Sequence, residues 1–317
     1  MTPSPSFQNK GVEIMISHKQ NQPHNLWKIA AQRQLYTDAK RVHLVQYIFS
    51  GLALVLISWL GNNIGEEYRV YIVLGALLLA VFDELVINKR LEKLVHLAAS
   101  IQENFDCEVL DIPHNSIKFA KRDLTEVISK YNDKYLRLNK DYRAITDWYP
   151  GMKGSQSVYS KIICMNTNCW WSQEIREKYE TTIKAVVIIL FIILLLLGIY
   201  NGLTIGVFIV SVLSPLIPMF ALSYRTLKNN SISIYNLRNA KITIERIIDS
   251  IKNQDSYPFS QFQSDVRCLQ DIIYDNRKIT ILIPDFFYKY FRDDYENTAE
   301  NTNVELIKAI ESYPNNN

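Results

Sequence analysis

Several residue types that would define an enzyme or a disulfide-rich scaffold are scarce in this sequence. It holds only four cysteines and five histidines among 317 residues. Four dispersed cysteines cannot form a disulfide framework, and the histidines lack the spacing of zinc ligands. No nucleophile elbow, zinc-protease helix or kinase signature is present. The sequence therefore predicts no catalytic centre, no metal and no other cofactor.

An excess of charge of one sign is also missing. Lysine and arginine together number 35, aspartate and glutamate 32, and the formal net charge is +3. A balance so close to neutral gives no general electrostatic attraction for nucleic acid. What the chain does contain is two apolar blocks, separated by polar sequence rich in Lys, Glu, Asn and Asp.

Each apolar block divides into two segments long enough to cross a bilayer, for which a helix needs about 20 mostly apolar residues. The clearest contains the uninterrupted apolar run Val186–Leu197. The four predicted spans are Val42–Leu60, Val70–Ile87, Ile183–Tyr200 and Leu203–Tyr224. We therefore predict a mainly α-helical, polytopic membrane protein in which four transmembrane helices form two hairpins.

Basic residues predict the orientation of these spans. The loop Gly61–Arg69 holds a single Arg, and the turn Asn201–Gly202 has no charge. The segments on the opposite side of the spans are rich in Lys and Arg, and such segments usually face the cytoplasm. The flanking basic residues are Lys28, Arg33, Lys40, Arg41, Lys89, Arg90, Lys93, Arg176, Lys178, Arg225 and Lys228. We expect a multi-pass protein of the bacterial inner membrane with both termini in the cytoplasm.

This topology divides the chain into five segments. The first is expected to be a cytoplasmic tail, disordered over Met1–Pro23, with Met15 as an alternative start. The second and fourth are the hairpins, and the third and fifth are cytoplasmic and mostly helical. The predicted boundaries are 1–41, 42–87, 88–182, 183–224 and 225–317.

Both hairpins are predicted to continue into helical stalks. Apolar residues recur at steps of three and four in Ile87–Phe105, in Ile117–Ile145 and, as broken heptads, in Leu227–Ile251. This periodicity is typical of amphipathic helices that bury one face. The remaining C-terminal predictions are a helix at Val266–Tyr274, a β-rich segment at Thr280–Ile283 and a helix at Asn303–Tyr313.

Four residues within the spans are candidates for gating. Asp83 and Glu84 lie about 20 Å along the second span, and acids inside a membrane are costly and often functional. The alternative is that this helix tilts, so that both acids reach the cytoplasmic interface. Pro215 and Pro218 interrupt the backbone hydrogen bonds of the fourth span, which predicts a kink. A gating hinge at this kink is a hypothesis.

Aromatic and basic side chains cluster in two of the polar segments. Nucleobases stack on aromatic faces, and arginine binds phosphate with two parallel hydrogen bonds. The clusters therefore indicate nucleotide binding, although core packing and helix capping also explain them. The candidate ligand-binding residues are Arg143, Trp148, Tyr149, Lys153, Arg267, Tyr274 and Arg277.

Four short motifs occur in a characteristic order around the two hairpins. They are Ile101–Cys107, Ile145–Pro150, Leu269–Arg277 and Ile283–Tyr288. With them, the sequence resembles the SMODS-associating four-transmembrane effector family of bacterial cyclic-oligonucleotide anti-phage signalling systems (CBASS). The resemblance covers most of the chain.

The resemblance implies a function and a set of partners. A nucleotidyltransferase would make a cyclic di- or trinucleotide when phage infects the cell. The effector would bind this second messenger on its cytoplasmic part, then oligomerise or open and disrupt the inner membrane, causing abortive infection. A homo-oligomer within the lipid bilayer is expected. The resemblance assigns no ligand-contact residues.

Two other interpretations start from the same residues. A membrane-anchored helical scaffold would use the heptad stripes to recruit a partner and would bind no nucleotide. A membrane enzyme would use Asp83 and Glu84 at the interface, so that Asp83→Asn would abolish its activity.

Overall fold

The computed structural model describes residues 16–48, 69–118, 124–153, 158–252, 258–279 and 281–311. Within these ranges the chain is almost entirely helical and contains no β-strand. The principal helices are α1 (Pro23–Tyr47), α2 (Arg69–Phe82), α3 (Lys89–Val109), α4 (Thr125–Asn139), α5 (Ser160–Tyr200), α6 (Ser214–Lys252), α7 (Phe259–Lys278) and α8 (Asp285–Glu311). A π-helical segment, Asp83–Asn88, joins α2 to α3 without a break.

Most of the core lies in a polar bundle, which consists of α1, α3, α4, α7, α8 and the polar parts of α5 and α6. The predicted stripe on α3 faces this core, and Ala98, Ile101 and Phe105 are completely buried. Helix α1 packs along α3 and α4 and contributes Ala31 and Leu35 to the same core. The amphipathic periodicity of α3 therefore fixes which of its faces receives the other helices.

Helices α5 and α6 form the second hairpin, and we call residues 183–224 the apolar hairpin. After α5 ends at Tyr200, Gly202 adopts a φ of +65°, and a short helix begins at Ile205. The two arms approach closely at Gly198, where an added methyl group would lie only 2.7 Å from a ring carbon of Phe208. Gly198 thus permits a close helix crossing that a larger side chain would prevent.

The surface of the apolar hairpin is unlike that of the bundle. Large apolar side chains such as Ile188, Leu196 and Ile205 are more than half exposed. Exposed apolar surface on this scale marks an interaction or membrane site. Among the described residues, α5 is the one helix that is both long enough and apolar enough to cross a membrane.

The N-terminal prediction was wrong for residues 16–23. Ile16–Lys19 forms a helical turn, and α1 begins at Pro23 and runs through residue 41 to Tyr47. The Gln20 side chain accepts a hydrogen bond from the backbone N–H of Tyr149 at 2.7 Å. Polar composition suggested disorder, but these polar groups hydrogen-bond to the bundle. Residues 49–60 of the first predicted span, and the loop that follows them, lie outside the described residues.

Three further predictions need correction. The helix expected over Ile117–Ile145 is shorter: α4 covers Thr125–Asn139, a 3-10 turn covers Arg143–Ile145, and Ile117 lies in a turn with 95% of its surface exposed. The described part of the β-rich segment, residues 281–283, is not a strand, and all three of its residues are buried among the helices. The helix expected to begin at Asn303 is part of continuous α8.

Candidate functional site

Five of the seven predicted ligand-binding residues converge on one face of α3, between Ser100 and Cys107. Trp148 and Tyr149 reach this face from the loop after α4, and three residues reach it from α7. The five residues are Trp148, Tyr149, Arg267, Tyr274 and Arg277. Sequence segments that are more than 100 residues apart therefore meet at one polar surface, which we call the α3 polar face.

Asp106 is the centre of this surface. It is completely buried and accepts hydrogen bonds from the Tyr149 hydroxyl at 2.7 Å and from the Arg277 guanidinium at 2.5 Å. Burial raises the pKa of Tyr149 well above its usual value, and the charge of Asp106 acts in the same direction. Burial alone would lower the pKa of Arg277, but Asp106 holds it above its ordinary value. Arg277 therefore remains charged.

A second buried ion pair lies one turn earlier on α3. Arg267 contacts Glu103 at 2.8 Å and Asp271 at 2.7 Å, and it also donates to the Pro113 carbonyl at 2.7 Å. Gln270 connects the two pairs by donating to Glu103 at 2.7 Å and to Asp106 at 3.1 Å. The result is a continuous hydrogen-bonded network between α3 and α7.

Cys107 borders this network. Its Sγ lies 3.3 Å from Glu103 and from Arg267. Burial raises the pKa of the Cys107 thiol, and Glu103 raises it further. A neutral, buried thiol of this kind is a structural rather than a reactive cysteine.

The two remaining aromatic candidates lie at the edges of the α3 polar face. The Trp148 ring meets Phe105 edge-on, with 6.5 Å between the ring centroids. The Tyr274 hydroxyl lies 3.2 Å from that of Ser100, and the Lys278 ammonium lies 4.4 Å from the centre of the Tyr274 ring. Both aromatic rings are packed against the bundle.

Arg143 and Lys153 are not brought into this surface. The Arg143 side chain is 92% exposed, and its ionic partner is the neighbouring Asp141 at 3.3 Å. Lys153 is exposed as well. The seven predicted residues therefore form an interior group of five, plus two separate surface cations.

The predicted gating acids share one partner. Arg225 of α6 contacts Glu84 at 2.5 Å and Asp83 at 3.4 Å, at the start of the π-helical segment that follows α2. We call these three residues the Arg225 clamp. It connects the second helix of one predicted hairpin to the second helix of the other.

The predicted kink in the fourth span lies in irregular helix. Pro215 and Pro218 fall within the first five residues of α6, and a π-helical segment, Ile209–Leu213, directly precedes them. Proline removes a backbone donor, and π-helical turns accommodate such interruptions. The helix is thus irregular where the sequence predicts it to be.

Sequence reasoning missed the acidic half of the α3 polar face. Glu103 and Asp106 lie three residues apart on α3, outside the predicted apolar stripe, yet both are buried. A buried carboxylate needs a cationic or hydrogen-bonding partner, but charged residues outside an apolar stripe predict a solvated face, so the local pattern gave no signal of their burial. The two buried arginines of α7 face three carboxylates, Glu103, Asp106 and Asp271, and the network carries no surplus positive charge.

Such a network holds the helices of the bundle together. Among the residues that the structure describes, no three His, Cys, Asp or Glu side chains are arranged to hold a metal ion. Removing one partner of a buried ion pair is costly, so the pairs fix how α7 lies on α3.

Together these features define a helical protein whose charge-braced polar bundle continues directly into an apolar, membrane-compatible hairpin. The family described as the SMODS-associating 4TM effector domain matches residues 15–306, nearly the whole chain, and the chain belongs to this family. It is therefore a membrane effector of a SMODS-associated system, with a functional link to the nucleotidyltransferase of that system. No curated protein and no solved structure matches it.

Proposed function

We propose that the polar bundle binds a cyclic di- or trinucleotide and that binding changes the packing of the apolar hairpin, which disrupts the bacterial inner membrane. In this proposal the chain crosses the membrane four times, with both termini in the cytoplasm. Its role is not catalytic: the nucleotidyltransferase makes the messenger, and this chain responds to it.

The continuity of α5 and α6 is the observation that carries this proposal. Helix α5 has 41 residues, and its buried N-terminal part contributes Ile162 and Cys164 to the core of the bundle. The same helix then becomes the apolar arm that ends at Tyr200. Helix α6 returns from the apolar hairpin to the bundle as one 39-residue helix. Since no loop separates bundle from hairpin, a change in one is transmitted to the other.

The Arg225 clamp is the proposed gate. It lies where α6 leaves the apolar hairpin, and it ties α6 to the end of α2. The Arg225 side chain is about one-third exposed, so its pairs are screened and can exchange. Separation of Asp83 and Glu84 from Arg225 would free the two predicted hairpins from each other, with Pro215 and Pro218 allowing α6 to bend.

The α3 polar face is proposed to hold the bundle in its resting arrangement. Arg267 and Arg277 are already neutralised, so a phosphate would have to displace Glu103 or Asp106 to bind them. Arg143 and Lys153 face no buried carboxylate and are proposed to make accessory contacts with an anionic ligand. Trp148, Tyr149 and Tyr274 would then respond to ligand through the packing of α3.

Dye release from proteoliposomes tests this function. The full chain is reconstituted and exposed to cyclic di-AMP, cyclic di-GMP, cyclic GMP–AMP and cyclic tri-AMP, each with its linear form as control. We expect one cyclic nucleotide, and not its linear form, to cause leakage. Homo-oligomerisation is followed by cross-linking under the same conditions. Folded, inserted protein that leaks with none of them would favour the scaffold interpretation.

A further inference from the structure

The guanidinium of Arg176, on α5, is a partly shielded cation without a counter-ion among the described residues. Its Nε and Nη1 atoms are buried and have no hydrogen-bond partner. No described residue forms an ion pair with this guanidinium. Burial lowers the pKa of Arg176 from its ordinary value, with a smaller opposing effect from Tyr288 and Tyr36.

This arrangement contrasts with the other buried arginines of the bundle. Arg267 and Arg277 each have a carboxylate within 2.8 Å. An arginine cannot shed its proton to escape an apolar site, and an uncompensated buried charge is strongly unfavourable. Arg176 thus has an unmet requirement for an anion, which the described part of its own chain does not supply.

Further unpaired polar atoms lie on the same contact between α5 and α6. Asn230 of α6 donates to the backbone carbonyl of Arg176 at 2.9 Å, which brings the two helices together at this level. The oxygen atoms Asn230 Oδ1, Ser233 Oγ and Gln173 Oε1 are buried without hydrogen-bond partners. Gln173 and Ser233 lie three residues from Arg176 and Asn230 respectively, on the same helix faces.

The nearest acid does not supply the missing charge. Glu180 lies one turn closer to the apolar hairpin, where it pairs with Lys184 at 2.6 Å and accepts hydrogen bonds from Asn230 and Ser231. These partners lower its pKa against the raising effect of burial. Glu180 is therefore engaged with other residues.

Two tyrosine side chains lie within electrostatic range of the Arg176 guanidinium. Burial raises the pKa of Tyr36 to about 12, while the nearby Arg277 and Arg176 act in the opposite direction. Tyr288 lies within electrostatic range of Arg176 as well, and the Lys40 ammonium lies 4.5 Å from the centre of the Tyr288 ring. Tyrosines from α1 and α8 thus lie within electrostatic range of one cation on α5.

We propose that Arg176 is the phosphate-binding residue for the nucleotide ligand, at the contact between α5 and α6. A phosphodiester would receive the Nε and Nη1 hydrogens of Arg176 in the bidentate geometry that guanidinium favours. Ribose hydroxyls or base amino groups would donate to the unpaired oxygens of Gln173 and Asn230. Tyr36 and Tyr288 would provide aromatic faces for a base. This inference rests on the proposed function and names its site.

The location explains how binding would act on the membrane. Arg176 lies two turns before Ile183, where the apolar hairpin begins. Arg176 and Gln173 are only partly buried, whereas Nε and Nη1 of Arg176 are buried, so a ligand would reach these two atoms when α5 and α6 separate locally. A ligand that binds the separated state and not the closed one shifts the equilibrium toward separation.

The test is nucleotide binding to the full-length protein in detergent, measured by calorimetry with the same four cyclic nucleotides and their linear forms. Arg176→Gln is compared with Arg238→Gln, which removes an exposed arginine of α6 that pairs with Glu177 at 3.0 Å. We expect Arg176→Gln to weaken binding at least tenfold and Arg238→Gln to bind like wild type. Arg176→Lys keeps the charge but loses the bidentate fork, and it should bind with intermediate affinity.

Thermal unfolding without ligand separates binding from a structural role. Removing an unpaired buried charge should leave the melting temperature of Arg176→Gln equal to or above that of wild type, although its binding is lost. A lower melting temperature together with wild-type affinity would overturn the inference and leave the proposed function intact. If wild-type protein binds none of the nucleotides, the proposed function and this inference both fail. If Arg176→Gln does not fold, Arg176→Lys replaces it in the test. Weakened nucleotide binding by Arg176→Lys would support the inference, and wild-type affinity would overturn it.

Discussion

In the polar bundle, helices distant in sequence are joined by buried charges, whereas in the apolar hairpin they are joined by apolar packing. Asp106 and Arg277 connect α3 to α7 across 171 residues. Between residues 185 and 224, no described side chain forms an ion pair, and the arms meet through contacts such as Gly198 with Phe208. Directional pairs specify one arrangement, while apolar packing permits several of similar free energy. The bundle is thus suited to recognition and the hairpin to rearrangement.

The largest loss of stability is expected when the central ion pair of the polar bundle is broken. Asp106→Asn keeps a hydrogen-bond acceptor for Tyr149 but leaves the buried Arg277 without its counter-ion. We expect a loss of about 3–5 kcal/mol in the free energy of unfolding, the range for broken buried pairs. Thermal unfolding in detergent, followed by circular dichroism, measures it.

Asp275→Asn is the matched control for this variant. Asp275 pairs with Lys118 and Lys278 at the surface of the same bundle. Exposed pairs contribute about 1 kcal/mol or less, so this variant should unfold close to wild type. Equal destabilisation by the two substitutions would contradict the central role of Asp106.

A smaller effect is expected from overpacking the apolar hairpin. In Gly198→Ala, the new methyl group would lie 2.7 Å from Phe208 Cδ2, so the two arms must separate. Overpacking of this kind costs about 1–3 kcal/mol, and we expect the variant to leak dye without ligand. Gly206→Ala has no atom within 4 Å of its new methyl group and serves as the control. Adding Phe208→Leu to Gly198→Ala should restore the packing of the two arms and abolish the leakage without ligand. Continued leakage from the double variant would argue against this contact.

A smaller effect is expected from a substitution at the junction between the polar bundle and the apolar hairpin. Arg225→Gln removes both ionic contacts of the Arg225 clamp, which are partly exposed and so worth about 1 kcal/mol together. That is roughly a fivefold shift between closed and open states. We expect lower ligand concentrations to cause half-maximal dye release, with Arg238→Gln unchanged. An unaltered or higher half-maximal concentration would remove the clamp from the gating mechanism.

The smallest effect should be a pH dependence at the edge of the bundle. Burial by itself would raise the pKa of Glu108, but Lys28 and His24 of α1 lower it overall from the ordinary 4.5. A carboxylate with a depressed pKa contributes stability above its unfolded pKa, and that contribution is lost as the pH falls from 4.5 through the folded value. Because Glu108 is substantially exposed, the change should stay below about 1 kcal/mol.

Unfolding midpoints measured from about pH 6 down to about pH 3, a range that brackets the titration of carboxylates, check this contribution. Glu108→Gln should show a shallower fall in stability than wild type over the acidic part of this range. Identical curves would mean that Glu108 contributes nothing to the attachment of α1.

The sequence predicted helices and faces better than long-range partners. The stripe through Ile101 and Phe105 was confirmed because a helical period determines which side is buried. Arg267 and Arg277 were predicted to bind ligand, but the structure pairs them with Glu103 and Asp106, which lie more than 160 residues away in the sequence. Local patterns do not encode such pairings, which depend on how α7 crosses α3.

Amino-acid composition wrongly predicted disorder where polar side chains hydrogen-bond to the folded bundle. Gln20 and its neighbours suggested a disordered tail, yet Gln20 hydrogen-bonds to the backbone of Tyr149. Arg176 was counted only as a basic flank of the third span, since nothing in its neighbourhood predicts that its guanidinium is shielded without a partner. Both features depend on tertiary contacts, which override local propensity.

The uninterrupted length of α5 has a mechanical consequence. With 41 residues, at a rise of about 1.5 Å each, it is a rod about 60 Å long. A tilt of about 5° at its bundle end would displace its far end by roughly 5 Å, close to one helical pitch. Acting as a lever, α5 would amplify a movement of about 2 Å near Arg176 into a displacement that separates neighbouring lipid-facing helices.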